Sequence, residues 1–585
     1  MSEDHGSKDP CHNSAGRDQP SRGYGPQAPA ATLLRLNDTV GPSADSAKLI
    51  LPGKKSIMQV RASGRDGFLI VSLHPLTDLM QNKESAGTPP GQTYDFSTDH
   101  LQGKLKQKTV SGGIVQVVAQ GLQFVLTLSY NIVLARLLSP EEFGLVAMVM
   151  TVIGFLQIFR DMGLSTATIQ RPDITHAQVS NLFWLNIAVS GAISLLVAAG
   201  APVIAWFYHE PRLINITFAL SASFILNGLA GQHVALLNRQ MRFMAISIIE
   251  AGSMAVGLSV GFTMALTGYG YWSLVAATLV QAVVRLIAIW AISRWRPQRP
   301  VRGAGTRPMI SFGANLTVSG FLYSTSIGTD SLLIGRFYGS DAVGLYTRAA
   351  ALLARPLQQL IAPIYTVVVP ALSRLQNQPE RYRKFFLQVF ESLAIVGFVF
   401  TGLILPLAHP ITVTLLGARW EAAAIIFAGL SIAGITAPLS SAVSWLYTSQ
   451  GRGADMLKLS VIEAVVTIGA VLIGLRYGAA GVAIACSIAG LLVKLPLTFH
   501  IAGQTGPVSV RDLWLAFLGQ FPVGLVVGTA AWATTLFTTG MVPYKQLLIG
   551  VPAGLLAGIA TGFLSPPTRR ACLRIVETIK EIRQK

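Results

Sequence analysis

Two arginines, Arg348 and Arg355, stand seven residues apart inside an otherwise apolar segment. Seven residues are two helical turns, so both guanidiniums share one helix face, roughly 10 Å apart in height. Charged groups at membrane depth usually face the protein interior or a water-filled cavity. Because arginine grips phosphate through paired hydrogen bonds, the spacing predicts a cavity for a phosphate-bearing ligand. Structural pairing, for instance of Asp330 with Arg348, is the alternative.

A second set of polar side chains recurs at intervals of four and three along an apolar stretch, which puts them on one helix face. The set is Gln116, Gln120, Gln123, Thr127 and Tyr130. Lipid cannot solvate such a stripe, so it lines a cavity or bonds a neighbouring helix, and both alternatives stay open. Tyr323 belongs to another polar run, Tyr323-Ser-Thr-Ser326.

Three carboxylates within apolar segments, Asp330, Glu250 and Glu391, are candidates for binding a coupling proton or Na⁺. A structural role is the alternative for each. The sequence lacks the phosphate-binding pattern Gly-x-x-x-x-Gly-Lys-Ser/Thr, which argues against ATP hydrolysis by this chain. The three cysteines lie far apart without paired spacing. We therefore expect neither catalytic residues nor a metal or cofactor.

The elements that position these groups are apolar segments of about 20 residues, long enough to cross a hydrocarbon core of about 30 Å. They predict an all-α polytopic membrane protein, with only 12% charged residues. We place fourteen spans at 111–137, 143–160, 182–207, 213–236, 244–267, 270–293, 309–337, 343–370, 386–408, 422–447, 456–476, 479–501, 513–537 and 544–564.

Loop charges set the orientation of these spans. One side receives 25 Lys and Arg residues and the other only six, so both termini are expected in the cytoplasm. The net charge of +18 is then a topology signal and needs no nucleic-acid partner. The expected location is the bacterial inner membrane.

The chain divides into six predicted regions. Residues 1–108 are rich in Gly, Ser, Pro, Asp and Lys, which predicts a mainly disordered cytoplasmic extension or a mis-assigned start. The basic linker 294–308 is expected to be a hinge between two bundles. Its arginines are interpreted as a positive-inside topology signal, with binding of anionic lipid as the alternative. The remaining regions are a six-helix bundle at 109–293, a second at 309–502, accessory helices at 503–565 and a basic tail at 566–585.

Segments 111–150 and 311–350 align without a gap at an offset of 200 residues. Each copy has a small-residue start, a long helix, an arginine near its end, a short acidic turn and Gly-Leu opening the next helix. In the first copy these last features are Arg136 and Gly144, and in the second Arg336 and Gly344. The copies enter the membrane in the same direction, which predicts a pseudo-two-fold axis along the membrane normal.

Several runs resemble the signatures of Wzx-type oligosaccharide flippases, a polysaccharide-transporter branch of the MOP (multidrug/oligosaccharidyl-lipid/polysaccharide) superfamily. They are Val133-Leu-Ala-Arg-Leu-Leu-Ser-Pro-Glu-Glu-Phe-Gly-Leu145, Arg160-Asp-Met-Gly-Leu-Ser-Thr-Ala167, Asn181-Leu-Phe-Trp-Leu-Asn186, Asp330-Ser-Leu-Leu-Ile-Gly-Arg-Phe-Tyr-Gly339, Val343-Gly-Leu-Tyr-Thr-Arg-Ala349 and Pro370-Ala-Leu-Ser-Arg374. The resemblance covers residues 105 to 565. The arm before residue 105 falls outside the family pattern.

The resemblance implies a flippase for polyprenyl-pyrophosphate-linked oligosaccharide units, working by alternating access in exopolysaccharide or lipopolysaccharide synthesis. It implies two pseudo-symmetric six-helix bundles, and a polysaccharide polymerase and chain-length proteins as partners. Arg348 and Arg355 fall where the family's cavity cations are expected, and Arg136 and Arg160 are the first-repeat candidates. Gln120, Gln123 and Tyr323 complete the expected substrate-binding set.

Three other functions compete with this one. A lipid II flippase is similar in mechanism and would be distinguished by a cell-wall phenotype rather than an exopolysaccharide phenotype. A cation-coupled multidrug exporter of the same superfamily would favour carboxylates in its cavity, against which Arg348 and Arg355 argue. A non-transporting scaffold for polysaccharide enzymes would leave the polar stripes inside the spans without a purpose.

Overall fold

The structure is a computed structural model that describes residues 46–50, 56–62, 69–75, 105–161, 163–171, 174–303, 305–306, 309 and 328–564. It divides into two units, residues 1–92 and 93–585. The first unit contains an antiparallel sheet of β1 Ser46–Ile50, β2 Ser56–Ala62 and β3 Leu69–Pro75, in the order β1-β2-β3. These three strands lie within the predicted extension 1–108, where short runs rich in Ile, Val and Leu favour strands, and the disorder of the extension stays a prediction.

The second unit is helical. Its first half contains α1 Leu105–Leu137, α2 Pro140–Asp161, α3 Leu164–Gln170, α4 His176–Tyr208, α5 Leu213–Arg239, α6 Phe243–Leu266 and α7 Trp272–Ser293. Its second half contains α8 Thr329–Arg374, α9 Pro379–Leu416, α10 Ala423–Leu430, α11 Ala433–Gln450, α12 Gly453–Leu475, α13 Gly478–Ala489 and α14 Leu495–Gly503. The accessory helices are α15 Val510–Leu518, α16 Phe521–Phe537 and α17 Pro543–Leu564.

The protein is a multi-pass membrane protein. Within the described residues, 11 helices are long and apolar enough to cross a membrane, or up to 12 if the bent pair α10 and α11 forms one span. The predicted spans at 143–160, 182–207, 213–236, 244–267 and 270–293 coincide with α2, α4, α5, α6 and α7. The span at 111–137 lies on α1, which is not among these 11, and much of the span at 309–337 lies outside the described residues. The count of fourteen stays a prediction.

A short turn that was expected in both repeats is present in both. In the first repeat, Ser139 and Glu142 form a reciprocal cap at the start of α2: the Ser139 amide donates to Glu142 Oε2 at 2.8 Å and the Glu142 amide to Ser139 Oγ at 3.3 Å. In the second repeat, Gly339 breaks α8 with a φ of 80° and a ψ of −173°. A φ in this range favours glycine, so this residue marks the boundary between two spans.

The two repeats meet at a reciprocal contact. A Cβ at Gly144 would overlap the carbonyl oxygen of Ser340, and a Cβ at Gly344 would overlap that of Pro140. Both pairs are related by the same offset of 200 residues, as a two-fold axis between α2 and α8 requires. We call this contact the glycine crossing. It agrees with the predicted pseudo-symmetric halves.

The basic linker is held by the first bundle over part of its length. Trp295 is buried at 1% exposure, and the side chain of Asn181 on α4 bonds both backbone groups of Val301, at 2.7 and 2.9 Å. Trp184 Nε1 also donates to the Gln298 carbonyl at 2.8 Å. Gln298 and Val301 of the linker are therefore held against α4, and the hinge stays a prediction.

Candidate functional site

A cavity of about 620 Å³ lies between the two halves of the second unit. Helices α1, α2, α6 and α7 form its walls on one side and α8 on the other. Its polar lining consists of Tyr130, Asn131, Thr151, Thr278, Gln281, Thr347, Arg348 and Arg355. Arg348 and Arg355 are the charged members of this lining, so the cavity is basic. The structure thus brings together the two arginines that the sequence pairs by spacing.

Arg348 is the more constrained of the two arginines. Its Nη1 donates to Asn131 Oδ1 on α1, and its guanidinium lies 4.5 Å from the ring centroid of Phe143 on α2. Its Nε is buried and has no hydrogen-bond partner within residues 105–306 and 328–564 as far as these are described. A buried donor without an acceptor costs free energy, so the site is prepared for a ligand oxygen. The neighbouring Tyr130 Oη is also buried and has no partner among the same residues.

Arg355 lies two turns further along α8, lines the same cavity and is exposed. No acidic residue lines the cavity within the part of the chain that is described. Two guanidiniums without a carboxylate counterion create a positive potential in an apolar surrounding, where charges are screened less than in water. This arrangement suits an anion that carries more than one negative charge.

Asp330 has other partners than the one considered from sequence. Its Oδ2 accepts a hydrogen bond from Tyr346 at 2.7 Å, and its Oδ1 accepts from the backbone amide of Ser331 at 2.7 Å. It forms no ion pair with Arg348 within the described residues, and the cavity side of that arginine stays open to a ligand.

The first-repeat arginines lie outside the cavity lining. The exposed Arg136 donates from Nη2 to the carbonyl of Thr414 on α9 at 2.7 Å, and so joins the two halves. Arg160 is half-buried at the last turn of α2. The structure does not bring either arginine to Arg348, because each lies at an end of its helix.

The neutral candidates are also dispersed. Gln120 and Gln123 are half-buried on α1 and do not line the cavity. From the same stripe, Thr127 contacts Met254 on α6 with 3.8 Å between oxygen and sulfur, whereas Tyr130 lines the cavity. The stripe therefore serves both of the roles that the sequence left open. Gln116 has no described side chain, and Tyr323 lies outside the described residues.

The other two candidate ion-coupling carboxylates lie away from the cavity. Glu250 on α6 forms an ion pair with Arg285 on α7 at 2.7 Å, and Asn227 accepts from the same guanidinium at 3.2 Å. The spacing of this pair makes a structural role the better interpretation of Glu250. Glu391 is half-buried on α9.

Sequence reasoning missed the aromatic closure of the cavity. Phe143 stands edge-on to Trp420, with centroids 5.4 Å apart, and the fully buried Trp420 donates from Nε1 to the Ala135 carbonyl at 2.7 Å. Trp420 belongs to the short 3₁₀ turn Ala418–Trp420 of the second half, so it joins that half to α1. It lies outside the aligned repeat segments, which gave no signal for it. The polar Asn131, which follows Tyr130 of the stripe, is the cavity residue that could have been identified from the sequence.

An apolar groove of about 480 Å³ lies between α9 and the accessory helix α16. Its lining includes the exposed side chains of Leu405, Phe521, Leu525 and Trp532. Gly402 lets the two backbones approach, since a Cβ there would lie 2.8 Å from the Gly524 carbonyl oxygen. The groove is suited to a hydrocarbon chain.

Comparison with known proteins decides the family. A family model described as polysaccharide biosynthesis protein matches residues 133–425, half of the 585-residue chain. The chain belongs to this polysaccharide biosynthesis protein family. The match spans the glycine crossing and both arginines of α8, and it begins two residues after the cavity-lining Asn131 of α1.

Individual relatives agree with this family. Lipopolysaccharide biosynthesis protein WzxC of Escherichia coli (strain K12) is 25% identical over 440 residues, which are 73% of this chain and 88% of that protein. Succinoglycan biosynthesis transport protein ExoT of Rhizobium meliloti (strain 1021) is 30% identical over 350 residues, 58% of this chain and 69% of that protein. The resemblance to Wzx-type proteins is confirmed.

A solved structure shows the same fold. The lipid II flippase MurJ, in an inward closed conformation, superposes with a TM-score of 0.62 at 16% identity. The match covers 77% of this chain and 99% of that one. The predicted architecture of two helical bundles with added helices is therefore confirmed.

Proposed function

We propose that this polysaccharide biosynthesis protein is a flippase that moves polyprenyl-pyrophosphate-linked oligosaccharide units across the membrane. The observation that carries this proposal is the basic cavity between two pseudo-symmetric halves, in which the buried Nε of Arg348 has no partner among the described residues. A pyrophosphate supplies several hydrogen-bond acceptor oxygens. Its negative charge would also serve as the counterion of Arg348 and Arg355, beside which no carboxylate lines the described cavity. The family relatives named for lipopolysaccharide synthesis and succinoglycan transport support a lipid-linked glycan as the cargo.

The physical task is to carry a polar headgroup past hydrocarbon. Polar groups without partners cost several kcal/mol each in the bilayer core, so the glycan needs a lined path. Thr278 and Gln281 give the cavity neutral hydrogen-bonding groups beside the arginines. The polyprenyl tail stays in lipid, and the groove between α9 and α16 offers it an apolar surface.

Alternating access follows from the pseudo-symmetry of the halves. We assign the glycine crossing to the periplasmic side and both termini to the cytoplasm of a bacterial inner membrane, in accord with the loop charges. In this state the crossing closes one end of the cavity. Of the three candidate carboxylates, Asp330 is the one we retain for ion coupling, because it lies on α8 two residues beyond the cavity-lining Gly328. A polymerase and chain-length proteins act on the delivered units.

The test is deletion of the gene followed by complementation. Loss of exported polysaccharide, with polyprenyl-linked units accumulating on the cytoplasmic face, is expected. Wild-type protein should restore export, whereas Arg348→Ala and Arg355→Ala should not, at equal membrane abundance. Normal export with greater sensitivity to cationic drugs would contradict the flippase and favour an exporter. Full export by both variants would contradict the role of the cavity arginines.

A further inference from the structure

Arg348 bridges the two halves of the protein beside the glycine crossing. The residue belongs to α8 in the second half, but its two contacts belong to the first. Asn131 on α1 accepts a hydrogen bond from its Nη1, and Phe143 on α2 lies under its guanidinium at 4.5 Å. One side chain therefore both faces the cavity and ties the halves together.

These contacts belong to the closed end of the cavity. Phe143 is buried at 2% exposure and packs edge-on against Trp420, and it follows Glu142 by one residue and precedes Gly144 of the crossing. Opening this end requires α2 to part from α8, which breaks the contact of Arg348 with Phe143. If α1 moves together with α2, the hydrogen bond of Arg348 with Asn131 breaks as well. The free energy of those contacts therefore stabilises the closed conformation relative to the open one.

The guanidinium is not saturated by these partners. Its Nε is buried and has no acceptor in the part of the chain that the structure describes, and Asn131 provides a neutral amide oxygen. A phosphate oxygen accepts a charge-assisted hydrogen bond, about twice as strong as a neutral one, and can engage two guanidinium nitrogens together. A phosphate in the cavity therefore competes with Asn131 and Phe143 for the same side chain.

We propose that Arg348 is a ligand-released latch: pyrophosphate capture withdraws it from Asn131 and Phe143 and so frees the closed end to open. Asn131 and Phe143 are then positioning residues that couple headgroup binding to the conformational change. The inference rests on the proposed function, since it takes the pyrophosphate headgroup as the ligand. An empty carrier stays closed at this end, which limits leakage, and a loaded one is biased to open.

The experiment measures the opening directly. Spin labels are attached in place of Tyr269, in the link between α6 and α7, and of Tyr477, in the link between α12 and α13. The two tyrosines lie in opposite halves and are 60% and 77% exposed, respectively. The native Cys11, Cys486 and Cys572 are replaced by alanine, and the full chain is reconstituted in lipid nanodiscs. The probe is farnesyl pyrophosphate, with farnesol as the uncharged control, and its binding is measured on the same samples by calorimetry.

The pyrophosphate, but not farnesol, should lengthen the distance between the labels. Asn131→Leu should lengthen it without any ligand and raise the ratio of open to closed molecules roughly 5- to 30-fold, the effect of losing one or two such contacts. Asn131→Asp gives Arg348 an anionic partner at the same position, so this variant should keep the end closed. A higher concentration of farnesyl pyrophosphate should then be needed to lengthen the distance. A residue that only supports the fold would not yield opposite shifts from these two variants.

Three results would overturn the latch. If the probe binds and the distance stays fixed, the flippase proposal stands and the coupling is refuted. If Asn131→Leu and Asn131→Asp shift the distance in the same direction, Asn131 is merely structural. If the wild-type protein binds no pyrophosphate, the proposed function fails in the calorimetric measurement itself, and the latch fails with it.

Discussion

The glycine crossing predicts that a single added methyl group, at Gly144 or at Gly344, shifts the protein towards the open conformation. Replacing Gly144 by alanine would drive its Cβ into the Ser340 carbonyl, and replacing Gly344 would drive its Cβ into the Pro140 carbonyl. The obstacle is backbone in both cases, so no rotamer change relieves it. The helices α2 and α8 must separate, which is the movement that opens this end of the cavity.

The magnitude follows from the kind of overlap. Inserting one extra carbon into a packed contact costs about 1–3 kcal/mol. Because the cost falls on the closed state, the ratio of open to closed molecules should rise about 5- to 150-fold. By the reciprocal geometry, Gly144→Ala and Gly344→Ala should have similar effects. The double variant should gain less than their sum, since one separation makes room for both methyl groups.

The assay is the distance between spin labels at positions 269 and 477, measured without ligand. Gly191→Ala on α4 is the matched control, because nothing lies within 4 Å of the added carbon. The reasoning is refuted if Gly144→Ala and Gly344→Ala leave the distance at the control value. Strongly unequal or additive effects would contradict the reciprocal contact.

Three further predictions concern other contacts. Arg285→Ala should lower the free energy of unfolding by about 1–3 kcal/mol, because it strands the Glu250 carboxylate, and unchanged thermal unfolding in detergent would contradict this. Trp420→Phe keeps an aromatic ring but loses the indole hydrogen bond, so the label distance should lengthen; a wild-type distance would count against the closure. The hydrogen bond from Arg212 lowers the pKa of the Glu210 carboxyl, so its stabilisation is present above the unfolded pKa and lost as pH falls through the folded pKa. Thermal unfolding against pH should show this loss, and Glu210→Gln should flatten the profile.

The helices were the part most accessible to sequence reasoning. A run of about 20 apolar residues has few alternatives to a membrane helix, and the span predicted at 213–236 agrees closely with Leu213–Arg239. The strands at 46–75 were missed because the composition of residues 1–108 was judged as a whole. Short apolar runs such as Ser56–Ala62 were outweighed by the polar residues around them.

The candidate site was predictable where it depends on local geometry. Arg348 and Arg355 share a face because seven residues are two turns, and that holds before any packing is known. Their partners were not predictable, since Asn131 and Phe143 lie more than 200 residues away and meet Arg348 only when the halves pack. Likewise, the terminal position of Arg136 was known, but its bond to the Thr414 carbonyl depends on the angle between helices.

The most direct measurement is translocation by the purified protein. Proteoliposomes carry polyprenyl-pyrophosphate-linked oligosaccharide extracted from the native host, and the accessible fraction of its glycan is followed with an enzyme added outside. The wild-type protein should expose the inner-leaflet pool, whereas the double variant Arg348→Gln, Arg355→Gln should leave it protected at equal protein content. Equal exposure by both proteins would contradict the role of the arginine cavity, and no exposure by the wild type would contradict the flippase itself.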